Sequence, residues 1–326
     1  MKSSSPVHNV DDLLVIGGDI QLIEKIKRKP MDQFKITDIA DISHVLDMQV
    51  TRDRKGKTLI INPGNHTKSI LERFGIADCK PSSTLGFGSE LSTEQPEGTL
   101  LNKEETQRYQ AVTGSVMYLP QITKYDIMYS SGQLARAMSK PWKVHMGGAK
   151  HVLCYLAGTT NFAIVYKEGG FILTSFSKSN WGKNPDNGKS TSCKIMMLSR
   201  ARVSFRSGVQ SLTGMSTMKA ELVASALAMK EAVFFSNMMT VLGFGKEFGQ
   251  VPLHIDNTAT LHIISNRAIS SRTKQIALWF FYIRVNVKKN RVTTHYISTE
   301  NQLADIGAKH LNKRRLQQLL YMIKSV

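Results

Sequence analysis

The second half of this sequence predicts an α/β fold built on one mixed sheet, and three observations predict it. Strand-like and helix-like patterns alternate beyond residue 158. Three apolar-rich segments, 171–177, 191–199 and 201–206, are joined so tightly that they should form an antiparallel meander. A long helical run over 216–242 is then followed by two single strands with helices between and after them, which places all five strands in one sheet.

Taken in order, residues 9–17 put Asp11 and Asp12 ahead of a short apolar strand, and the local chemistry reads as a turn, because Asp is a common turn residue. Alternation across a strand would send their side chains to opposite sides, so at most one could be a principal metal ligand. A helix is expected over 20–29, ending at Pro30. Residues 43–63 read as a hairpin of Val45–Val50 and Thr58–Asn62 around a turn at 54–57. Residues 66–74 look helical. The stretch 79–103 holds Pro81, Pro96 and several Gly and Ser, with little apolar periodicity, and is read as a linker or an irregular surface crossing. Helical patterns follow at 104–118, 124–138 and 142–157, and a domain boundary is expected near Gly158, before a strand over 162–166.

Within 216–242, apolar residues recur at Ala220, Val223, Leu227, Phe234, Met238 and Val241, a helical period, with Ser216 or Thr217 able to cap its start and Gly243 its end. A short strand, 251–256, leads into helix 258–264; another helix is expected over 272–288 and a strand over 292–297. Thr299 and Gln302 match a capping box opening the helices that contain Asp305.

At 326 residues the chain is long enough for about two domains. Its net charge of +18 is unevenly placed: residues 1–150 carry 20 Lys+Arg and 17 Asp+Glu, residues 151–326 carry 23 and 8. A surplus of that size on one half suggests a polyanionic partner, most plausibly nucleic acid. No stretch is read as reaching transmembrane length, and the opening residues lack the apolar core of a signal peptide. Three scattered cysteines, Cys79, Cys154 and Cys193, with no CxxC pair, argue against a disulfide framework or structural zinc. An intracellular protein, in cytoplasm or nucleus, is expected.

Three acids fall at chemically useful points. Asp256 closes a strand at its carboxyl end, where α/β folds place their sites, Glu221 opens the preceding long helix, and Asp305 lies in the opening turns of the last helices. Each also has a plain structural role available: Glu221 with the helix dipole, Asp256 as a helix cap, Asp305 paired with Lys309 one turn on. Carboxylates converging from separate elements are what Mg²⁺ requires, and two such ions about 4 Å apart can activate water against a phosphodiester.

The series Phe176-Ser-Lys-Ser-Asn-Trp181, 184–191, 216–224, His254-Ile-Asp-Asn257, Ser271-Arg-Thr-Lys274 and Gln302-Leu-Ala-Asp-Ile306 resembles the ribonuclease H domain of copia-type retrotransposon polyproteins. Upstream, Val10-Asp-Asp-Leu-Leu14, 71–81, Gly114-Ser-Val-Met-Tyr-Leu119 and helix 142–157 resemble the end of that family's reverse transcriptase. The resemblance implies a ribonuclease H-like five-stranded mixed sheet with flanking helices over 159–326. Before it would come a partial reverse-transcriptase palm and thumb remnant (1–75), a linker (76–103) and a helical connection region (104–158).

By that resemblance Glu221, Asp256 and Asp305 match the second, third and fourth of four catalytic, Mg²⁺-holding carboxylates that cut the RNA of an RNA–DNA hybrid. Lys178 stands where the first should be, in Ser177-Lys178-Ser179-Asn180-Trp181. An ammonium offers a metal no lone pair, so metal binding and catalysis are expected to be impaired. Asp186, eight positions on, is the candidate substitute ligand for a nuclease that still works; a non-catalytic interaction module is the third reading. Asp11 and Asp12 match the polymerase motif, with Asn9 in place of its Tyr, and the fingers and upstream palm Asp are expected to be missing. Arg272, Lys274, Lys288, Lys289 and Arg291, with Lys313-Arg314-Arg315, are the candidate phosphate contacts. Trp181 and the aromatic run 279–282 read as core.

Overall fold

The computed structural model describes residues 5–9, 12–76, 78–87, 90–96, 98–170, 172–198, 201–213, 216–245, 248–266 and 277–325. Its first strands, β1 (Ser5–Asn9) and β2 (Asp12–Ile16), pair antiparallel and lead into α1 (Ile20–Met31), capped by the Asp19 side chain. Pro30 sits inside this helix, one residue before its end, rather than ending it, and no α1 residue is buried.

The expected hairpin over 43–63 is three strands. β3 (His44–Val45) and β4 (Met48–Asp53) are joined by Leu46 and Asp47, both at positive φ, and β4 pairs with β5 (Thr58–Asn62). Two consecutive left-handed residues make the tight turn that divides the segment read as one strand. After α2 (Gly64–Arg73) come α3 (Lys103–Ile122), α4 (Met128–Arg136) and α5 (Lys143–Ala157). Asn102 caps α3 by a capping box with Glu105. The strand expected after Gly158 is β6 (Ile164–Lys167), and it pairs antiparallel with β5. The chain therefore returns to the first sheet before it enters the second.

The second sheet holds β7 (Leu173–Asn180), β8 (Thr191–Leu198), β9 (Ala201–Val209), β10 (Val251–Ile255) and β11 (Val292–Tyr296) in the order β11-β10-β7-β8-β9. β7, β8 and β9 form the antiparallel meander; β10 lies parallel to both β7 and β11. This is the mixed five-stranded sheet the sequence predicts. Its helices are α6 (Thr217–Val241), α7 (Thr258–Ser265), α8 (Ala277–Lys288) and α9 (Lys313–Ser325).

Two apolar clusters cover the two sides of the sheet. Leu222, Ala226, Met229 and Val233 of α6 pack with Leu253, Ile255, Phe280 and Ile283. Phe176, Ile195 and Phe205 pack instead with α3 to α5 and with Leu316 and Leu319 of α9. The α6 stripe differs from expectation: Phe234 and Val241 are 61% and 82% exposed, and the buried face runs through 222, 226, 229 and 233. Small residues at Ala220, Ala224, Ala226 and Ala228 let the first half of the helix lie against the sheet, and the second half runs past it. By length and composition α6 could cross a membrane, contrary to the reading that no stretch is long enough, and half of its most apolar stretch is buried against this protein's own core.

The irregular segment 79–103 is anchored along its length. Leu85, Leu91 and Leu101 are buried, Arg136 donates to Leu91 O (2.6 Å), Trp142 Nε1 to Thr93 O (2.9 Å), and Asp186 accepts from Ser92 Oγ and Thr93 N (2.8 Å each). A crossing held this way joins the helices to the β7–β8 loop. Trp181 and Phe281 are 52% and 44% exposed rather than core, whereas Phe280 is buried as expected and Trp279 and Tyr282 are half-buried.

Candidate functional site

Strand register brings the first two site residues together. β10 runs parallel to β7 with His254 opposite Phe176, so two residues further along each strand Asp256 arrives beside Lys178. This is the point where the chain order reverses in the sheet, with β8 on one side of β7 and β10 on the other, and such points form crevices at strand carboxyl ends. Glu221 is delivered from the first turns of α6, whose start is fixed by Ser216 Oγ accepting from Lys219 N.

Lys178 Nζ lies 2.7 Å from Asp256 Oδ2 and 3.1 Å from Glu221 Oε1, and Ser179 N donates to Glu221 Oε2 at 3.1 Å. Thr299 Oγ1 reaches the same Asp256 oxygen at 3.3 Å. The Glu221 and Asp256 side chains are nearly fully buried and that of Lys178 is only slightly exposed. Burial pushes the Glu221 carboxyl up to about 7, against the pull of Lys178 and helped by the neighbouring Asp256. Burial alone would lower the Lys178 ammonium, but the charges of Glu221 and Asp256 and its hydrogen bonds to them outweigh that and hold it above the ordinary lysine value. Burial is the larger cause, and a count of charges adds to it: one cation stands between two carboxylates, which favours a proton on Glu221.

Asp305 is held differently. It is buried in a short 3-10 turn, 303–307, with Lys309 Nζ 3.0 Å from Oδ1 and Arg315 3.2 Å from Oδ2. Arg315 also donates to Thr299 O (2.7 Å) and Glu300 O (2.6 Å), so Thr299 links the two halves of the site. The turn sits hard against the sheet: a Cβ on Gly307 would come within 2.6 Å of Cys193 Sγ and of Phe205. The Thr299–Gln302 capping box does not form; residues 299–301 make a separate 3-10 turn, and Gln302 caps Ala304 while its Nε2 donates to Ser177 O.

Lys178, Glu221 and Asp256 are thus in direct contact, and Asp305 faces its own two cations. Among the described residues no group of three or more His, Cys, Asp or Glu is placed to hold a metal ion. Asp256 Oδ1 is a buried acceptor with no hydrogen bond, but an ammonium stands between its carboxylate and Glu221. As arranged, these residues do not fit a divalent ion.

Asp186 makes no replacement ligand, because its oxygens are taken by Ser92, Thr93 and Arg136 (3.4 Å). Arg315 serves Asp305 and the 299–300 carbonyls rather than standing ready for phosphate. Lys288, Lys289 and Arg291 are exposed at and after the end of α8. Asp11, Arg272 and Lys274 lie outside the described residues; Asp12 begins β2, and its side chain is outside them too. The sequence assigns Arg315 to phosphate and Thr299 to a capping box and misses their contacts with Asp305 and Asp256, because no local spacing rule joins residues ten or forty apart.

Comparison with known proteins defines the class first. Residues 7–85 match the family Reverse transcriptase (RNA-dependent DNA polymerase). The chain is 27% identical over 94% of its length to the retrovirus-related Pol polyprotein from transposon TNT 1-94 of Nicotiana tabacum, and 28% identical, over the same share, to that from transposon RE2 of Arabidopsis thaliana. It spans 23% and 21% of those polyproteins. The N-terminal ribonuclease H domain of rv2228c from Mycobacterium tuberculosis, solved as a fusion with maltose binding protein, is 8% identical, with a TM-score of 0.33, over 47% of this chain and 98% of that one. These likenesses support reading the chain as a fragment of a copia-type Pol polyprotein.

Proposed function

We propose that this chain is a Pol segment whose ribonuclease H-like part binds nucleic acid and no longer hydrolyses the RNA of RNA–DNA hybrids. In this reading residues 1–75 are the remnant of a reverse-transcriptase palm and thumb, 76–103 a linker, 104–158 a connection region and 159–326 the ribonuclease H-like domain. The observation that carries it is the Lys178 ammonium at 2.7 and 3.1 Å from Asp256 and Glu221. A cation fixed there meets the charge that hydrolysis would need a metal to meet, and it repels a divalent ion by roughly 4 kcal/mol per unit charge about 4 Å away at an effective dielectric near 20. Mg²⁺ binding is therefore weakened at the position where the family's reaction depends on it. Asp305, held by Lys309 and Arg315, adds a third carboxylate withdrawn from metal.

What remains is a basic half able to meet phosphate through Lys288, Lys289 and Arg291, and the reading extends to Arg272 and Lys274. The protein acts inside the cell on this view, in cytoplasm or nucleus. The test is cleavage and binding of a labelled RNA–DNA hybrid in Mg²⁺, comparing the parent with Lys178→Asp. We expect the parent to bind with strong salt dependence and leave the RNA whole, and Lys178→Asp to gain cleavage. Cleavage by the parent at a rate ordinary for a ribonuclease H would overturn the proposal. Binding that ignores salt, or none, would favour a protein-interaction module instead.

A further inference from the structure

We propose that Lys178 and Asp256 become joined by an amide bond between their side chains, formed by the protein itself with Glu221 as the proton-transferring residue, so that the pocket performs a cross-linking reaction of its own. Lys178 Nζ lies 2.7 Å from Asp256 Oδ2, and the carboxyl carbon is one C–O bond beyond that oxygen. Glu221 Oε1 touches the same nitrogen at 3.1 Å, and Ser179 N holds the other Glu221 oxygen at 3.1 Å. Nucleophile, electrophile and proton carrier therefore meet at one atom. Each comes from a different element: β7, the end of β10 and the first turns of α6.

The surroundings favour an amide over an ion pair. The Lys178, Glu221 and Asp256 side chains are 17%, 5% and 3% exposed, so little water competes for the carboxyl carbon. A buried ion pair carries the desolvation penalty of both its charges, and an amide replaces them with one neutral group. Fixed contact also stands in for a chance encounter: well-oriented groups react as though present at about 10⁵–10⁸ M, which offsets the poor reactivity of a carboxyl group toward an amine.

In the first step Glu221 takes one proton from the ammonium and passes it to Asp256, leaving a neutral amine beside a neutral carboxylic acid. The Lys178 nitrogen then attacks the Asp256 carboxyl carbon, and Thr299 Oγ1, 3.3 Å from Oδ2, donates to the oxygen that stays as the amide carbonyl. Glu221 takes a second proton from the nitrogen and returns it to Oδ1, the buried oxygen that no hydrogen bond holds, which leaves as water. One C–N bond forms and one C–O bond breaks. Nothing is oxidised or reduced, the third ammonium proton stays on the amide nitrogen, and Glu221 ends as it began. The link spans 78 positions and ties β7 to β10 in the middle of the sheet, which restricts the unfolded chain.

The experiment holds the purified full-length protein at neutral pH, follows its intact mass over days, and maps digested peptides by tandem mass spectrometry, with circular dichroism to confirm the fold of each variant. The expected result is a protein lighter by one water, a branched peptide joining the segments that contain Lys178 and Asp256 and untouched by reducing agent, and a thermal midpoint that rises with the linked fraction. Glu221→Gln keeps the side chain's size and should slow the reaction by at least about a hundredfold. Lys178→Arg should keep its full mass, and Asp256→Asn should form the same link with loss of ammonia in place of water. The proposal is overturned if the folded parent keeps its full mass throughout, if the lost water maps elsewhere, as to a succinimide within 185–188, or if Glu221→Gln links as fast as the parent. The inference uses the same pocket as the proposed loss of hydrolysis without resting on it: hybrid cleavage by the parent is scored separately, and an unlinked protein still carries the Lys178 ammonium.

Discussion

Replacing Lys178 by Met tests the charge arrangement most directly. The substitution keeps the aliphatic stem on β7 and removes only the ammonium, leaving Glu221 and Asp256 facing each other across the space it filled. Breaking a buried ion pair by deleting one partner costs about 3–5 kcal/mol, because the charge left behind is uncompensated. Here two carboxylates are left, so at pH 8 the loss should reach the upper part of that range. At pH 5 it should be roughly half as large, because Glu221 can take a proton and relieve the repulsion. The sign follows from proton counting: the native state of the variant holds a proton that the unfolded chain releases, so its stability falls as pH rises, more steeply than the parent's. The assay is urea unfolding followed by circular dichroism at pH 5 and pH 8, with and without millimolar MgCl₂. Two opposed carboxylates are oxygen ligands, so Mg²⁺ should raise the midpoint of the variant and leave that of the parent where it was. A variant as stable as the parent at pH 8, or one whose deficit is the same at both pH values, would refute the reasoning.

Glu221 sits at about 7 in the folded protein against an ordinary 4.5, so it makes the parent less stable as pH rises through that window, by at most about 3 kcal/mol; Glu221→Gln should flatten the stability–pH profile between those values, as read by thermal melts across the range. Gly307→Ala would drive a methyl group into Cys193 and Phe205, costing about 1–3 kcal/mol of overpacking and displacing Asp305, which limited proteolysis of the 303–312 stretch should report. Exchanging Lys288 and Lys289 for Gln should weaken hybrid binding across sequences and reduce the slope of log K against log salt by about 2, as measured by fluorescence anisotropy at several salt concentrations.

How much of this was legible depended on the range over which each feature is decided. The meander over 173–209, the long helix capped by Ser216 and the strand ending at Asp256 are local patterns, and the sequence carries them. The tight turn at Leu46–Asp47 was not legible, because neither residue is the Gly or Asn that usually signals positive φ. The pairing of β6 with β5 was hidden for another reason: partner choice between two sheets is made by packing, here of α5 on α2, and no strand pattern encodes it. At the site, charge identity told most of the story. A lysine at 178 among acids contributed by other elements was visible in the sequence, and the structure places its amine between two of them. The sequence groups Asp305 with Glu221 and Asp256 by its place at the start of the last helices and by family resemblance, and its turn toward Arg315 depends on where α9 docks.

That division bears on what keeps the pocket folded. Buried carboxylates that share a site resist ionising together, so such a cluster is stable only with a positive charge inside it. In this chain the positive charges are covalently part of the protein: Lys178 for Glu221 and Asp256, Lys309 and Arg315 for Asp305. Lys178 and Arg315 lie on the elements that their carboxylates dock against, β7 for α6 and β10, α9 for the 303–307 turn, while Lys309 follows that turn directly. The ion pairs therefore act where they set the packing of α6, β10 and α9 on the central strands, and the polar pocket can persist as a structural joint in conditions where it holds no metal. A catalytic arrangement needs the opposite, carboxylates kept close with their attraction left for an exchangeable ion. Removing Lys178 restores part of that state and freeing Asp305 from Arg315 restores more, so Lys178→Asp combined with Arg315→Gln should exceed the cleavage gained by Lys178→Asp alone. Equal cleavage by the single and double variants would show that the Asp305 pairings are structural ornaments of the turn and place no limit on the chemistry.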